Sequence, residues 1–253
     1  MKILVNTTKT MACGQTSAPP PLRTTRPRLL AEAQALAAQV RDLDQADLAR
    51  IMDLSQALAA ATRADLGLWG GRGRPAGPAL GAFTGLVFKH LAPATLPAAA
   101  WRFAQDHLLI LSGLYGLLRP CDRVEAYRLE MGCRFVPDGA ATLTAFWRPR
   151  ITAELNRRLR RGEPVINLAA GEYLAAVDQD ALKGPVIWPV FKQRRPDGSL
   201  KVVTVHAKEA RGLLARWILE SEADAPADLL AFDGAGWEAA EAVPVRGPWL
   251  FVR

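Results

Sequence analysis

The sequence is short of the residues that build disulfide frameworks and metal sites. Cys13, Cys121 and Cys133 are an odd number without a CxxC pair, which excludes a disulfide framework and a zinc knuckle and leaves reduced thiols. His90, His107 and His206 include no i, i+4 pair and no HExxH, so no intrinsic metal is expected, and no other cofactor is indicated. Long apolar runs are missing too. The opening MKILVNTTK has too few apolar residues for the h-region of a signal peptide. The uncharged stretch PAGPALGAFTGLVF is fourteen residues long, with two prolines and three glycines. That falls short of the roughly 20 apolar residues that cross a bilayer. A cytoplasmic protein with no membrane partner is the expectation.

Half of the residues are apolar, enough to bury a substantial core in a chain of 253 residues. The formal net charge is +7 and the pI about 9.7, which favours anionic partners: nucleic acid (DNA), or a phosphorylated or otherwise anionic small molecule. Not all of this charge points to a ligand. Arg157, Arg158, Arg160 and Arg161 fall at an expected helix C-terminus, where cations complement the macrodipole.

KILVN reads as a buried strand that empties into the polar loop NTTKTMACGQTS. From about residue 28 to 64, apolar residues at helical spacing predict two helices broken near residues 42–47. WGGRGRPAGP reads as a mobile surface loop, and residues 98–106 as helix. HLLILSGLYG, PVINLAAGEY and KVVTVHAKEARG repeat the form of the first unit, an apolar run ending in small and polar residues, and VIWPVF adds a fifth strand. The fold class is therefore α/β: a single domain over residues 1–253, with a central mixed sheet flanked by helices. Ligands of open α/β sheets bind beyond the carboxyl ends of the strands, so the loops are expected to meet in a basic cleft there.

The candidate chemistry sits in those loops. Lys9, in the first, is a candidate for acid-base or covalent work, because burial among cations lowers a lysine pKa; binding phosphate is its simpler role. Glu172 and Tyr173 are candidates for a general base or a hydrogen bond to ligand, against a Glu172 that neutralises Arg119 or Lys208. Lys208 and Arg211 lie three apart and share a face at the first turn of a helix expected to begin near Ala207, beside free N–H groups that favour anions. Arg119, Tyr127, Arg128 and Glu130 sit in one loop, where arginines grip carboxylate or phosphate or pair with nearby acids. Ser112 and Tyr115, in the turn around Gly113 and Gly116, and Asn167, at a strand end, complete the ligand-binding set.

Residues 105–132, QDHLLILSGLYGLLRPCDRVEAYRLEMG, resemble the signature of the YaaA family of bacterial peroxide-stress proteins. The likeness continues through AFWRPRITAELN, VINLAAGEYL, PVF, HAKEARGLLARWI and AFDGAGW, in the family's order. It implies a cytoplasmic protein needed under hydrogen peroxide stress, with a positively charged cleft and a helix-hairpin-helix-like DNA-binding element over residues 111–129. The chain departs from the family at three loops. Asn6-Thr7-Thr8-Lys9-Thr10 replaces Ser-Pro-Ala-Lys-Thr, Ala79-Leu80-Gly81 replaces Lys-Gly-Asp, and Ala170-Gly171 replaces Ser-Asp. The leading reading is non-specific DNA binding through the basic cleft. The alternative is a small-molecule enzyme on the same scaffold, acting on a nucleotide-like or anionic substrate in a specialised pathway. Pocket shape discriminates: a narrow cavity favours the enzyme, an open groove DNA.

Overall fold

The computed structural model describes residues 1–19, 21–240 and 244–253. The first apolar run is β1 (Lys2–Asn6), followed by α1 (Leu30–Arg41), α2 (Gln45–Met52) and α3 (Gln56–Leu68). Three helices replace the expected two. The break near residue 42 is present, and the Asp44 side chain caps α2. A second break falls where Asp53 takes a left-handed φ of 51° and Ser55 caps α3. Then come β2 (Ala76–Pro78), α4 (Ala79–Ala82), α5 (Leu86–Leu91), α6 (Ala98–His107), β3 (Leu108–Ser112), β4 (Gly116–Leu118) and β5 (Arg123–Glu125). The order closes with α7 (Leu143–Arg158), β6 (Val165–Asn167), α8 (Gly171–Leu174), β7 (Val186–Arg194), β8 (Leu200–Lys201), α9 (Thr204–Ser221), β9 (Glu238–Ala239) and β10 (Gly247–Val252).

Eight strands make one mixed sheet, ordered β4-β3-β1-β6-β7-β10-β9 with β8 paired to β7. Neighbours from β3 to β10 are parallel, while β4, β8 and β9 run antiparallel to their partners. Across the sheet the five parallel strands lie second, first, third, fourth and fifth in chain order. The winding therefore reverses between β1 and β6, and a doubly wound sheet opens its ligand crevice at the carboxyl ends of such a pair. Central residues such as Ile3, Leu4, Val5, Ile110 and Ile166 are fully buried, each contributing about 1.5–3 kcal/mol of transfer free energy. Helices cover the sheet: α6 packs on β3, α7 on β4, and α9 on both β7 and α5.

Three expectations are corrected. KVVTV is not a strand ending at the site: only Lys201 joins β8, Val202 and Val205 are exposed, and α9 begins at Thr204. The stripe Ala207, Ala210, Leu214, Ala215, Ile218 and Leu219 buries that helix, and this packing outweighs the β propensity of the valines. WGGRGRPAGP is not wholly a surface loop, since Gly77 and Pro78 are buried in β2 against β5. Residues 111–129 contain no helix. Gly116, at a φ of 68°, folds β3 back on β4, so the helix-hairpin-helix-like element implied by the resemblance is a strand hairpin.

Candidate functional site

The crevice between β1 and β6 holds a cavity of about 270 Å³, lined by the loop after β1, the loop after β6, and parts of α5 and α9. Side chains fasten the two strand-end loops. Ala170 N–H donates to Asn6 Oδ1 at 2.9 Å, and Asn6 Nδ2 donates to the Thr7 carbonyl at 2.9 Å. Asn167 Oδ1 accepts from Ala169 N at 3.1 Å, which makes that buried asparagine a turn former, and it does not line the cavity. The first loop is tied to the segment before α5. Gly85 N donates to Thr8 Oγ1 at 3.2 Å, and Thr84 Oγ1 donates to Thr10 Oγ1 at 2.8 Å. This presents Lys9 at the rim, where its Nζ lies 3.0 Å from Glu130 Oε2. Glu130 also meets Arg128, at 3.4 Å. An ammonium already paired with a carboxylate at an exposed rim is not the desolvated lysine that covalent chemistry requires.

Lys208 and Arg211 reach the cavity from α9. They are the fifth and eighth residues of that helix, beyond its free N–H groups, so the expected first-turn site is corrected to a pair of side chains on one face. Among the described residues neither has an ion-pair partner, and Arg211 has no hydrogen bond either. Arg211 is half-buried, and burial holds its pKa below the ordinary guanidinium value. Glu172 lines the same cavity, is exposed, and has no ion-pair partner among the described residues. Its Oε2 lies 2.7 Å from where a Cβ on Gly132 would stand, so the missing side chain at Gly132 makes room for the carboxylate.

All three tyrosines of the chain cluster behind this cavity, and only Tyr173 lines it. Its hydroxyl accepts from Thr7 Oγ1 at 3.3 Å, and burial pushes its pKa up to about 12. Tyr173 thus stays protonated at neutral pH, a hydrogen-bond donor and not a base. Tyr127 lies deeper, its hydroxyl 2.6 Å from Ser112 Oγ; Ser112 Oγ in turn accepts from Tyr115 N. Tyr115 OH accepts from Trp69 Nε1 at 3.0 Å and Glu125 N at 3.2 Å. Ser112, Tyr115 and Tyr127 are buried and do not line this cavity; Tyr115 instead borders a separate depression with Arg26 and Arg123. Arg119 is elsewhere as well. Its guanidinium is held by Asp122 at 2.8 Å and by the Arg26 carbonyl at 3.1 Å, on a separate depression. The structure therefore brings together Lys9, Glu130, Glu172, Tyr173, Lys208 and Arg211, sets Arg128 behind Glu130, and adds Thr7, Thr8, Leu86 and Val87. Sequence reasoning missed Leu86 and Val87 because they look like any apolar pair on a short helix.

No group of three or more metal-ligating side chains occurs among the described residues. Burial pushes the thiols of Cys13, Cys121 and Cys133 up to about 11. Among the described residues, no helix is long and apolar enough to cross a membrane.

A family profile described as "Peroxide stress protein YaaA" matches residues 1–243. The chain belongs to the YaaA peroxide-stress family. A UPF0246 protein of Cereibacter sphaeroides (strain ATCC 17029) is 44% identical over 221 residues, covering 87% of this chain and 86% of that protein. A UPF0246 protein of Azoarcus sp. (strain BH72) is 40% identical over 242 residues, 91% of each chain. One from Shewanella denitrificans is 39% identical over 263 residues, 100% of this chain and 98% of that one. Ala79 and Leu80 are fully buried, and a Cβ on Gly81 would come within 2.6 Å of Thr16 Cβ, so residues 79–81 are closely packed.

Proposed function

We propose that this YaaA-family protein works by binding a small oxyanion, a phosphorylated or carboxylate-bearing metabolite, in the cavity between β1 and β6. The observation that carries this reading is Arg211: a half-buried guanidinium with no counter-ion among the described residues, lining a cavity it shares with Lys208. Burying a charge unpaired is costly, and an oxyanion gripped by the guanidinium fork removes that cost. Size points the same way, because about 270 Å³ lies at the small end of metabolite pockets and far below what a duplex occupies. In an enzyme on this site, Glu172 is the carboxylate free to take a proton from the ligand, and Tyr173 donates a hydrogen bond to it.

The test is thermal denaturation of the full chain with and without inorganic phosphate. A ligand that binds only the folded state at 100 times its Kd stabilises by about 2.7 kcal/mol, and the Lys208→Ala/Arg211→Ala variant should lose that gain while folding normally. Equal stabilisation of parent and variant overturns the assignment.

DNA binding is the second reading, and a patch away from the cavity favours it. Arg26 and Arg28 have no ion-pair partner among the described residues, and with Arg119 and Arg123 they line two adjoining depressions. Such a patch suits sequence-independent phosphate contacts. Its signature is affinity that falls with salt at a log-log slope of about −0.9 per phosphate neutralised. Arg26→Ala/Arg28→Ala should lower both affinity and slope. Undetectable DNA binding at low salt removes this reading and leaves the first untouched.

A further inference from the structure

We propose that the ligand of this cavity carries a protonated amine as well as its oxyanion, as a phosphate monoester with an ammonium group does; this rests on the oxyanion reading above. The cavity has five charged side chains in its wall: Lys9, Lys208, Arg211, Glu130 and Glu172. Two of them already satisfy each other, since Lys9 meets Glu130 at 3.0 Å and Arg128 supports the same carboxylate at 3.4 Å. That leaves two cations, Lys208 and Arg211, and one carboxylate, Glu172, without partners among the described residues.

A ligand that complements this remainder places two negative charges against Lys208 and Arg211 and one positive charge against Glu172. A phosphate monoester above its second pKa of about 6 supplies the first, and an ammonium supplies the second. A plain dianion would leave Glu172 facing like charge across a small cavity, and a plain amine would leave Arg211 uncompensated.

Tyr173 adds an independent mark. It is 4% exposed and lines the cavity, its hydroxyl oxygen accepts from Thr7, and its own proton has no acceptor in the described structure. A buried hydroxyl whose proton is still unspent suits a phosphate oxygen held by the basic side chains of the same cavity. The backbone reserves space at the amine end: a side chain on Gly132 would displace the Glu172 carboxylate.

The experiment is calorimetric titration of the full chain at pH 7.5 with two probes that differ by one amino group, O-phosphoethanolamine and monoethyl phosphate. Phosphoethanolamine should bind about tenfold tighter, the low end of what a hydrogen bond between charged groups contributes. Glu172→Gln should weaken phosphoethanolamine, strengthen monoethyl phosphate, and so close the gap. Glu172 is exposed, and circular dichroism of the variant verifies its fold. Equal affinities in the parent overturn the amine subsite and leave the oxyanion site standing. A gap that survives Glu172→Gln also overturns it, because the amine then has another partner. If neither probe binds, both readings fall together.

Discussion

A Cβ built on Gly212 would lie 2.3 Å from the carbonyl oxygen of Val87, so α9 meets α5 through a residue that has no side chain. The contact is next to Arg211, and it sets how far the basic face of α9 reaches over the cavity. Gly212→Ala removes a helix-weakening glycine, worth up to about 1 kcal/mol, but forces two packed backbones apart, which costs about 1–3 kcal/mol. The net expectation is a loss of up to about 3 kcal/mol in urea denaturation, with weaker phosphate binding. Gly67→Ala is the control: it lies in α3 with nothing within 4 Å, and should be neutral or stabilising. Equal effects at the two glycines would refute the packing argument.

Alkaline stability depends on the tyrosine cluster. Tyr115 and Tyr173 are both nearly fully buried, and burial pushes each up to about 12, from about 10 in an unfolded chain. Between those values only the unfolded state releases the protons. The stabilisation is therefore complete below pH 10 and is lost as the pH rises toward 12. Two groups shifted by about two units contribute on the order of 5 kcal/mol together, comparable to the whole stability of many domains. Absorbance at 295 nm should show no tyrosine ionising near pH 10 in the native protein, and ionisation should coincide with unfolding. A clean step of one or more tyrosines near pH 10 with the fold intact would contradict this.

Membership of a peroxide-stress family does not make the thiols the reactive groups. With all three pushed up to about 11, only about one thiol in 10⁴ is ionised at pH 7, against a few per cent for a free cysteine. Hydrogen peroxide at neutral pH should leave the native protein free of sulfenic acid, as read by mass spectrometry after dimedone trapping. Alkylation by iodoacetamide should proceed much faster in urea than in buffer. Rapid, stoichiometric trapping in the native state would reverse the conclusion.

The sheet and the first site loop were readable because KILVN, HLLILS and VIN are apolar runs that stop abruptly at polar residues, and strand ends of one sheet share an edge. Lys208 and Arg211 were found for a reason that does not hold: they reach the cavity through helix packing on α5, which depends on Gly212 and leaves no periodic trace. Arg119 was misplaced although the chain held the sign, an aspartate three residues on that takes its guanidinium. Ser112, Tyr115 and Tyr127 could not be sorted, because a hydroxyl in sequence looks the same whether it faces a cavity or closes a buried chain of hydrogen bonds. β10 was missed because Gly247 and Pro248 open it, and glycine and proline are the usual marks of a loop.

Asn6 joins the two halves of the site, and its removal should separate folding from binding. Its carboxamide accepts from Ala170 N and donates to the Thr7 carbonyl, each at 2.9 Å, so one side chain fixes the loop after β1 against the loop after β6. Those loops carry Lys9 on one side and Glu172 and Tyr173 on the other. Asn6→Ala deletes two hydrogen bonds worth about 0.5–1.5 kcal/mol each, which predicts a loss of about 1–3 kcal/mol in urea denaturation. The β1 ladder does not depend on this side chain: Ile3, Leu4, Val5 and Asn6 pair with β3 through the backbone. The fold should therefore survive while the loops lose their fixed spacing, and phosphate should then stabilise the variant much less than the parent. Asn6→Asp keeps the acceptor for Ala170 and replaces the donor with a charge that faces the Thr7 carbonyl, so it should recover part of the stability and none of the anion binding. If phosphate stabilises Asn6→Ala as strongly as the parent, the two loops do not form one binding unit, and the site reduces to the face of α9.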